Sequence, residues 1–208
     1  MGTRGHLATF AFYANKQLTT GEGGVIVPPD GAMGARLRSE RNQGREPDMG
    51  WLDHAGLGFN YRLSDVAAAL GVAQVERLDA MLERRDEVAS AYAERLAGIE
   101  GLRVPMAGRG SERRSWFVYV VRLPNWADRD ATTARLAERG IAAKAYLPCI
   151  HLFPHLRALG YREGQFPVAE AAAAHSLALP FFPSMTEGQV ARVCEGVGAA
   201  LGQPVGQR

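Results

Sequence analysis

The sequence feature that most constrains the fold is an apolar, β-prone run at residues 7–13, almost at the start of the chain. A strand of this composition is typically buried in a parallel sheet, with a neighbouring strand on each side. The few residues before the run are too short to provide those neighbours. We therefore expect a buried strand here, and we expect the chain to be the C-terminal part of a longer protein.

Start and stop signals predict the elements that follow this run. A short strand at residues 24–27 ends at two prolines, and Asp30 is predicted to cap a helix that runs to about Asn42. Residues 43–62 contain many glycine, asparagine, aspartate and proline residues. We expect them to form an ordered loop with a functional or partner-binding role.

A long helical pattern begins after this loop. Ser64 is predicted as its N-cap, with Asp65 in the first turn, and apolar residues recur at helical spacing as far as about Ala97. The pattern is too long for one ordinary core helix and is weakest near Gly71. We expect one bent helix, or two helices, linking two domains.

The rest of the chain alternates between strands and helices. Strands are predicted at residues 115–123 and 141–147, and helices at residues 132–139, 168–176 and 186–201. Because there is no long βαβ rhythm, this order favours a small α+β domain.

Charge and cysteine content exclude several classes of function. The chain of 208 residues has 24 Lys and Arg against 22 Asp and Glu, a net charge of +2, which argues against nucleic-acid or membrane partners. Its two cysteines, Cys149 and Cys194, lie far apart, so neither a disulfide nor a metal site is expected. No secretion signal or membrane-spanning segment is evident, and the expected location is the cytoplasm.

Lys16 is the candidate for covalent chemistry. It lies between the apolar run and the glycine-rich turn at residues 21–24, where it is expected to project from the sheet edge into a cleft. An amine that attacks a cofactor aldehyde must be partly desolvated, and such a position provides this. An exposed loop lysine beside a tight turn gives the same pattern, so spacing does not decide between them. The turn lacks the spacing and the trailing lysine of a P-loop.

Four stretches, in the same order, resemble the DegT/DnrJ/StrS family. Residues 9–24 (TFAFYANKQLTTGEGG) resemble the cofactor-lysine signature of that family, and residues 58–71 (GFNYRLSD, then AAALG) are similar to its next motif. Residues 146–170 and 177–190 contain stretches that look like its C-terminal signatures. One such match is weak evidence, whereas four in order are specific.

The resemblance implies an α/β fold, that of the fold-type-I PLP-transferases, which are similar to aspartate aminotransferase. Residues 1–75 would be the C-terminal remnant of the PLP-binding large domain, and residues 76–208 the linking helix and small α+β C-terminal domain. The implied reaction transfers an amino group from glutamate or glutamine to a keto group of a nucleotide-linked sugar, in amino-sugar or polysaccharide biosynthesis. Its cofactor is pyridoxal 5′-phosphate (PLP).

The resemblance also implies roles for particular residues. Lys16 would form the covalent link to PLP and move the proton between the donor carbon and the cofactor carbon. Asn60 would contact the PLP phosphate of the neighbouring subunit in a homodimer, with Arg62 adding charge there, and His151 and Tyr13 would lie on the substrate side. Without the resemblance, a backbone-capping asparagine, a surface ion pair and a structural histidine are the ordinary interpretations.

The sequence departs from the family pattern in two ways. Ala11 stands where the family often has a serine whose hydroxyl binds the PLP phosphate. The family's acidic partner of the pyridine nitrogen, its ring-stacking aromatic residue and a phosphate-binding glycine–threonine turn all lie further upstream than the fifteen residues that precede Lys16. We therefore expect this chain alone to be inactive.

Two alternatives to an aminotransferase remain. The first is a non-catalytic remnant, a small α+β module that dimerises and binds no cofactor. An exposed apolar strand at residues 7–13 would favour it. The second is a sugar dehydratase of the same family, in which histidine replaces the cofactor lysine, and Lys16 argues against it.

Overall fold

The computed structural model describes residues 5–48, 50, 53–108, 110 and 113–204. This part of the chain forms two compact units, the first ending at Asp79 and the second beginning at Ala80. Our division at residue 75, between a large-domain remnant and a linking helix with a small domain, stays a prediction.

The first unit begins with two short strands, β1 (Ala8–Ala11) and β2 (Gly24–Val27), which pair antiparallel with Ala11 opposite Gly24. The neighbour that the structure shows is therefore antiparallel, and the expected burial of this strand in a sheet stays a prediction. Within the described residues β1 has one strand partner, which runs antiparallel to it, and Phe10 is 42% exposed. The loop between the strands turns the chain back on itself, and composition alone carries no information about strand direction.

Two of the predicted helix starts are confirmed in this unit. Helix α1 (Gly31–Arg41) is capped by Asp30, whose carboxylate accepts a hydrogen bond from the Met33 backbone N–H at 2.8 Å. Helix α2 (Asp65–Glu76) is capped by Ser64. A cap of this kind contributes about 1 kcal/mol, because it satisfies a backbone N–H that has no partner within the helix.

The long helical pattern forms two helices. The break lies at Arg77, after which helix α3 (Leu78–Leu96) begins, and not at Gly71 as the sequence suggested. Gly71 lies within α2, where a Cβ would stand 3.1 Å from the Cγ2 atom of Thr20. The glycine therefore permits close packing of α2 against the loop after β1, which a helical pattern cannot reveal.

The second unit contains an antiparallel sheet of three strands, β3 (Tyr119–Arg122), β4 (Lys144–Ala145) and β5 (Ser176–Leu179), with β5 in the centre. Both predicted strands are present but shorter than expected. The central strand is missing from the prediction, which ended a helix at Ser176 and assigned no element to the three residues after it. Only Leu177 and Leu179 alternate with smaller residues, a signal too short to separate from the alanine-rich helix before it.

The described residues of the second unit also form further helices. They are α4 (Arg129–Glu138), the 3-10 helix Ile150–Leu152, α5 (Pro154–Arg157), α6 (Pro167–His175) and α7 (Glu187–Ala200). The predicted C-terminal helix is confirmed as α7, since Thr186 caps it and Gln189 reaches back to complete a capping box. None of the helices in the described ranges combines the length and apolar character that a membrane crossing requires.

The apolar core lies in the second unit. Among the described residues, every buried hydrophobic side chain lies between Val88 on α3 and Leu201 after α7. The largest of those that are fully buried are Tyr92 and Tyr119, whose rings stack with 4.8 Å between their centroids. The hydroxyl of Tyr92 donates to the Pro180 carbonyl at 2.7 Å, so this buried phenol is satisfied.

Candidate functional site

Lys16 lies in a loop that the backbone of Phe12 holds closed. The Phe12 N–H donates to the Gly23 carbonyl at 2.8 Å, and the Phe12 carbonyl accepts from the Thr20 N–H at 2.9 Å. The Thr19 hydroxyl donates to the same carbonyl at 3.1 Å. Lys16 is half-buried within this loop, a placement that partly desolvates its side chain.

Gly23 closes the turn after the lysine. Its φ of +137° is a backbone conformation that side chains rarely adopt. A Cβ there would stand 2.8 Å from Oγ1 of Thr20 and 2.9 Å from Cδ1 of Leu63. Since Leu63 belongs to the second sequence motif, the turn brings that motif close to the lysine stretch.

Helix α2 packs against the same loop. Thr20 is 7% exposed and faces Gly71 of the helix, while Oε1 of Gln74 accepts from the Thr19 N–H at 3.4 Å. The conformation of the lysine loop therefore depends on a helix much later in the sequence. No local pattern predicts that dependence.

The backbone around Asn60 is attached to the C-terminal end of α1. The last carbonyl groups of a helix have no partner within the helix and must find one elsewhere. Here the Glu40 carbonyl accepts from the Phe59 N–H at 2.6 Å, and the Arg41 carbonyl accepts from the Tyr61 N–H at 3.0 Å. The helix end therefore fixes the chain on both sides of Asn60.

Gln43 and Gly44 make this attachment possible. Gln43 has a φ of +64°, which is uncommon for a residue with a Cβ, and its N–H donates to the Phe59 carbonyl at 2.9 Å. Gly44 donates its N–H to the Ser39 carbonyl at 2.8 Å, an arrangement common at helix ends. A Cβ on Gly44 would collide with the Gly56 carbonyl oxygen, so the loop approaches α1 more closely than another residue would allow.

Arg62 extends this attachment through its side chain. Its Nη1 donates to Oδ1 of Asn42 at 2.9 Å and to Oε1 of Gln43 at 3.4 Å. Arg62 also lines a groove of about 1300 Å³. Four other arginines line the same groove: Arg36, Arg38, Arg41 and Arg45. Sequence analysis missed Asn42 and Gln43 as partners, because their positions at the end of a helix say nothing about which distant side chain they meet.

His151 lies in the second unit and pairs with a carboxylate. It is 7% exposed, and its Nε2 is 2.9 Å from Oε1 of Glu170. Glu170 also accepts the backbone N–H groups of Gly164 and Phe166, at 2.9 and 3.1 Å. Hydrogen bonds hold the pKa of the Glu170 carboxyl below its usual value. The largest effect comes from the Gly164 N–H, and the Phe166 N–H and the imidazole add to it. Desolvation acts in the opposite direction and is weaker than the effect of Gly164.

The His151–Glu170 pair joins the 3-10 helix to α6. The Phe166 ring packs edge-on against the imidazole, with 4.8 Å between ring centroids. These contacts give His151 a structural role, and its predicted contact with substrate stays a prediction.

The environment of Cys194 is that of an inert core thiol. Burial raises its pKa to about 12. The Cys149 thiol donates a hydrogen bond to the Ala169 carbonyl, with 3.6 Å between Sγ and the oxygen. Neither cysteine forms a disulfide. Over the described ranges, no group of three or more His, Cys, Asp or Glu side chains is placed to bind a metal ion.

Four of the five expected site residues lie in the first unit. Lys16 and Tyr13 share the closed loop, where the Tyr13 carbonyl accepts from the Lys16 N–H at 2.9 Å. Asn60 and Arg62 share the attachment to α1, and His151 is part of the second unit. The roles of all five stay predictions.

The chain is similar to aminotransferases both in its sequence and in its structure. Residues 1–198 match the DegT/DnrJ/EryC1/StrS aminotransferase family. The GDP-perosamine synthase of Caulobacter vibrioides is 34% identical over 203 residues, which are 96% of this chain and 54% of that protein. The crystal structure of the aminotransferase TlmJ from Streptoalloteichus hindustanus has a TM-score of 0.85 at 31% identity, over 97% of this chain and 53% of that chain.

A second solved structure is similar to the same extent. DesV of S. venezuelae, crystallised in complex with a ketimine intermediate, has a TM-score of 0.83 at 32% identity, over 95% of this chain and 52% of that chain. The expected mixed α/β fold is confirmed by this agreement. The chain spans about half the length of the relatives that it matches.

Proposed function

Because the chain belongs to the DegT/DnrJ/EryC1/StrS aminotransferase family, we propose that it takes part in a PLP-dependent amino transfer. The amino group passes from glutamate or glutamine to a keto group of a nucleotide-linked sugar, in amino-sugar or polysaccharide biosynthesis. The observation that carries the proposal is the half-buried Lys16, held in a loop closed by the Phe12 backbone. The similarity to a GDP-perosamine synthase supports a sugar substrate.

The residues of the first unit fit PLP. Lys16 offers an amine for the cofactor aldehyde, in a loop whose hydrogen bonds limit its freedom. Asn60 and Arg62, an amide donor and a cation, suit the phosphate of the cofactor in the neighbouring subunit. PLP, when bound, supplies an electron sink for the carbon that loses its proton.

Proton transfer is the second task of Lys16. With PLP bound, its Nζ would act as the base that moves a proton, which requires an amine held within reach of the reacting carbons. The turn between Tyr13 and Lys16 keeps the lysine backbone in place for this. Tyr13 and His151 belong to the substrate side in the same proposal.

A homodimer with shared active sites completes the proposal. Large apolar side chains of the first unit are exposed on both strands and on α2: Phe10, Val25, Ile26, Val27, Val66, Leu70, Val72 and Val75. Exposed apolar surface of this extent is typical of a face that packs against another segment of polypeptide, whether from the same chain or from a second subunit. The same proposal divides the chain into a large-domain remnant at residues 1–75 and a linking helix with a small α+β domain at residues 76–208. It also places the protein in the cytoplasm.

Covalent labelling tests this proposal directly. The purified chain is incubated with PLP, its absorbance spectrum is recorded, and the mixture is reduced with borohydride before peptide mass mapping. We expect reduced PLP on Lys16. The exposed Lys144 on β4 is the internal control, and a Lys144→Ala variant should keep the label that a Lys16→Ala variant loses.

The other outcomes of this experiment separate the alternatives. A label on Lys144 with Lys16 untouched would contradict the assignment of the cofactor lysine. A chain that dimerises in sedimentation but takes no label would favour a non-catalytic α+β module, which the exposed apolar side chains of the first unit also allow.

A further inference from the structure

Two neutral side chains hold the guanidinium of Arg62. Its Nη1 donates to the amide oxygen of Asn42 at 2.9 Å and to that of Gln43 at 3.4 Å. An amide oxygen orients a guanidinium without cancelling its charge, whereas a carboxylate does both. In the part of the chain that the structure describes, Arg62 takes part in no ion pair.

Asn42 is itself fixed by the backbone. Its N–H donates to the Ser39 carbonyl at 3.0 Å, and its carbonyl accepts from the Arg45 N–H at 3.2 Å. Asn42 and Asn60 also form an antiparallel bridge. The backbone that carries the Asn42 side chain is therefore held in place at the end of α1.

The surroundings of Arg62 are strongly basic. The groove that it lines is about 1300 Å³ in volume, large enough for a ligand with several phosphoryl groups. Among the described residues, five arginines line the groove against two carboxylates, Glu40 and Glu46. Glu40 pairs with Arg36 at 2.7 Å, so one of the two carboxylates already has a partner. A concave surface with this excess of cations attracts phosphate oxygens.

We propose that Asn42 is a positioning residue, which orients Arg62 without neutralising it in an ion pair, so that the guanidinium can bind a phosphoryl group of the ligand. Either PLP or a nucleoside diphosphate carries such a group. The inference rests on the proposed function, because that function supplies both ligands. It adds a residue to which the resemblance gives no role.

Two substitutions at Asn42 separate positioning from folding. Asn42→Ala removes the contact with Arg62, whereas Asn42→Asp keeps the contact and turns it into an ion pair. A residue with only a structural role would tolerate aspartate, since the guanidinium stays attached. A residue that positions Arg62 for phosphate would not tolerate aspartate, because the new carboxylate competes with phosphate for the guanidinium. Asn125→Asp, in an exposed turn of the second unit, is the matched control for the added charge.

Calorimetric titration of the full chain with inorganic phosphate, guanosine diphosphate and PLP measures the effect. We expect Asn42→Asp to weaken binding about tenfold, which corresponds to the loss of one charge-assisted contact. We expect a smaller loss for Asn42→Ala and no change for Asn125→Asp. Thermal melts should show Asn42→Asp to be at least as stable as Asn42→Ala. The probe whose affinity falls most in Asn42→Asp identifies the phosphoryl group that Arg62 binds.

Two results would overturn the inference. One is an Asn42→Asp variant that binds all three probes like the wild type, and the other is a wild-type chain that binds none of them. The labelling of Lys16 is read separately. Lost phosphate affinity with no PLP on Lys16 would support the positioning role and contradict the proposed role of Lys16, whereas a normal label with unchanged affinities would do the reverse.

Discussion

Ala11 ends strand β1, directly before the residue whose backbone closes the lysine loop. If a hydroxyl at this position binds the PLP phosphate, Ala11→Ser should strengthen PLP binding by about 1.5–3 kcal/mol, the contribution of one hydrogen bond to a charged group. The dissociation constant, from an absorbance titration, measures this. Ala8→Ser, at the other end of the same strand, should leave it unchanged, and an equal effect of both variants would show that the phosphate does not lie near Ala11.

Glu170 makes stability depend on pH. Its folded-state pKa lies below the ordinary value of 4.5, so its contribution is present above that value and is lost as the pH falls through the folded-state pKa. Glu170→Gln should therefore melt at a lower temperature than the wild type at neutral pH. The difference in melting temperature between the two proteins should disappear as the pH falls below 4.5 and through the folded-state pKa.

The control for Glu170 is a neighbouring carboxylate in the same loop. Glu163 is exposed, and Glu163→Gln should leave the melting curve unchanged at neutral pH. A gap between wild type and Glu170→Gln that stayed constant down to strong acid would mean that the carboxylate charge contributes nothing.

At the scale of elements, the joint between α1 and the chain around Asn60 is the part of the candidate site most sensitive to shape. A Cβ on Gly58 would collide with the backbone of Gly44 and lie 2.7 Å from the Glu40 carbonyl oxygen. Gly58→Ala should weaken the joint by about 1–3 kcal/mol, the usual cost of overpacking.

Hydrogen exchange measures that loss at the joint itself. The Phe59 and Tyr61 amides, which donate to α1, should exchange faster in Gly58→Ala than in the wild type. Gly56→Ala is the matched control, because a Cβ there meets nothing within 4 Å. Equal protection in Gly58→Ala and the wild type would show that the chain adapts without losing the joint.

At the scale of the whole molecule, burial is unequal between the two units. Across the described ranges, the buried hydrophobic side chains all belong to the second unit, and the first unit exposes its strands and α2. Local stability follows buried apolar contact. Amides of α2 should therefore exchange much faster than those of α7 in the monomeric chain, as mass spectrometry of peptic fragments would measure. Equal protection of the two helices would contradict this.

Features that depend on neighbouring residues could be predicted from the sequence alone. The helix starts after Asp30, Ser64 and Thr186 were predictable because a cap forms its hydrogen bond within three residues of itself. The family was also predictable, because four short motifs, the first of them around Lys16, stand in the family's order along the chain.

Tertiary structure decided what depends on residues far apart in the chain. The antiparallel direction of β1, the central position of β5 and the contact of Asn42 with Arg62 all join separate segments. Such pairings depend on how the connecting loops fold back, and no local period or composition encodes that path. The sequence therefore predicted the candidate side chains, and only the fold showed which distant residues contact them.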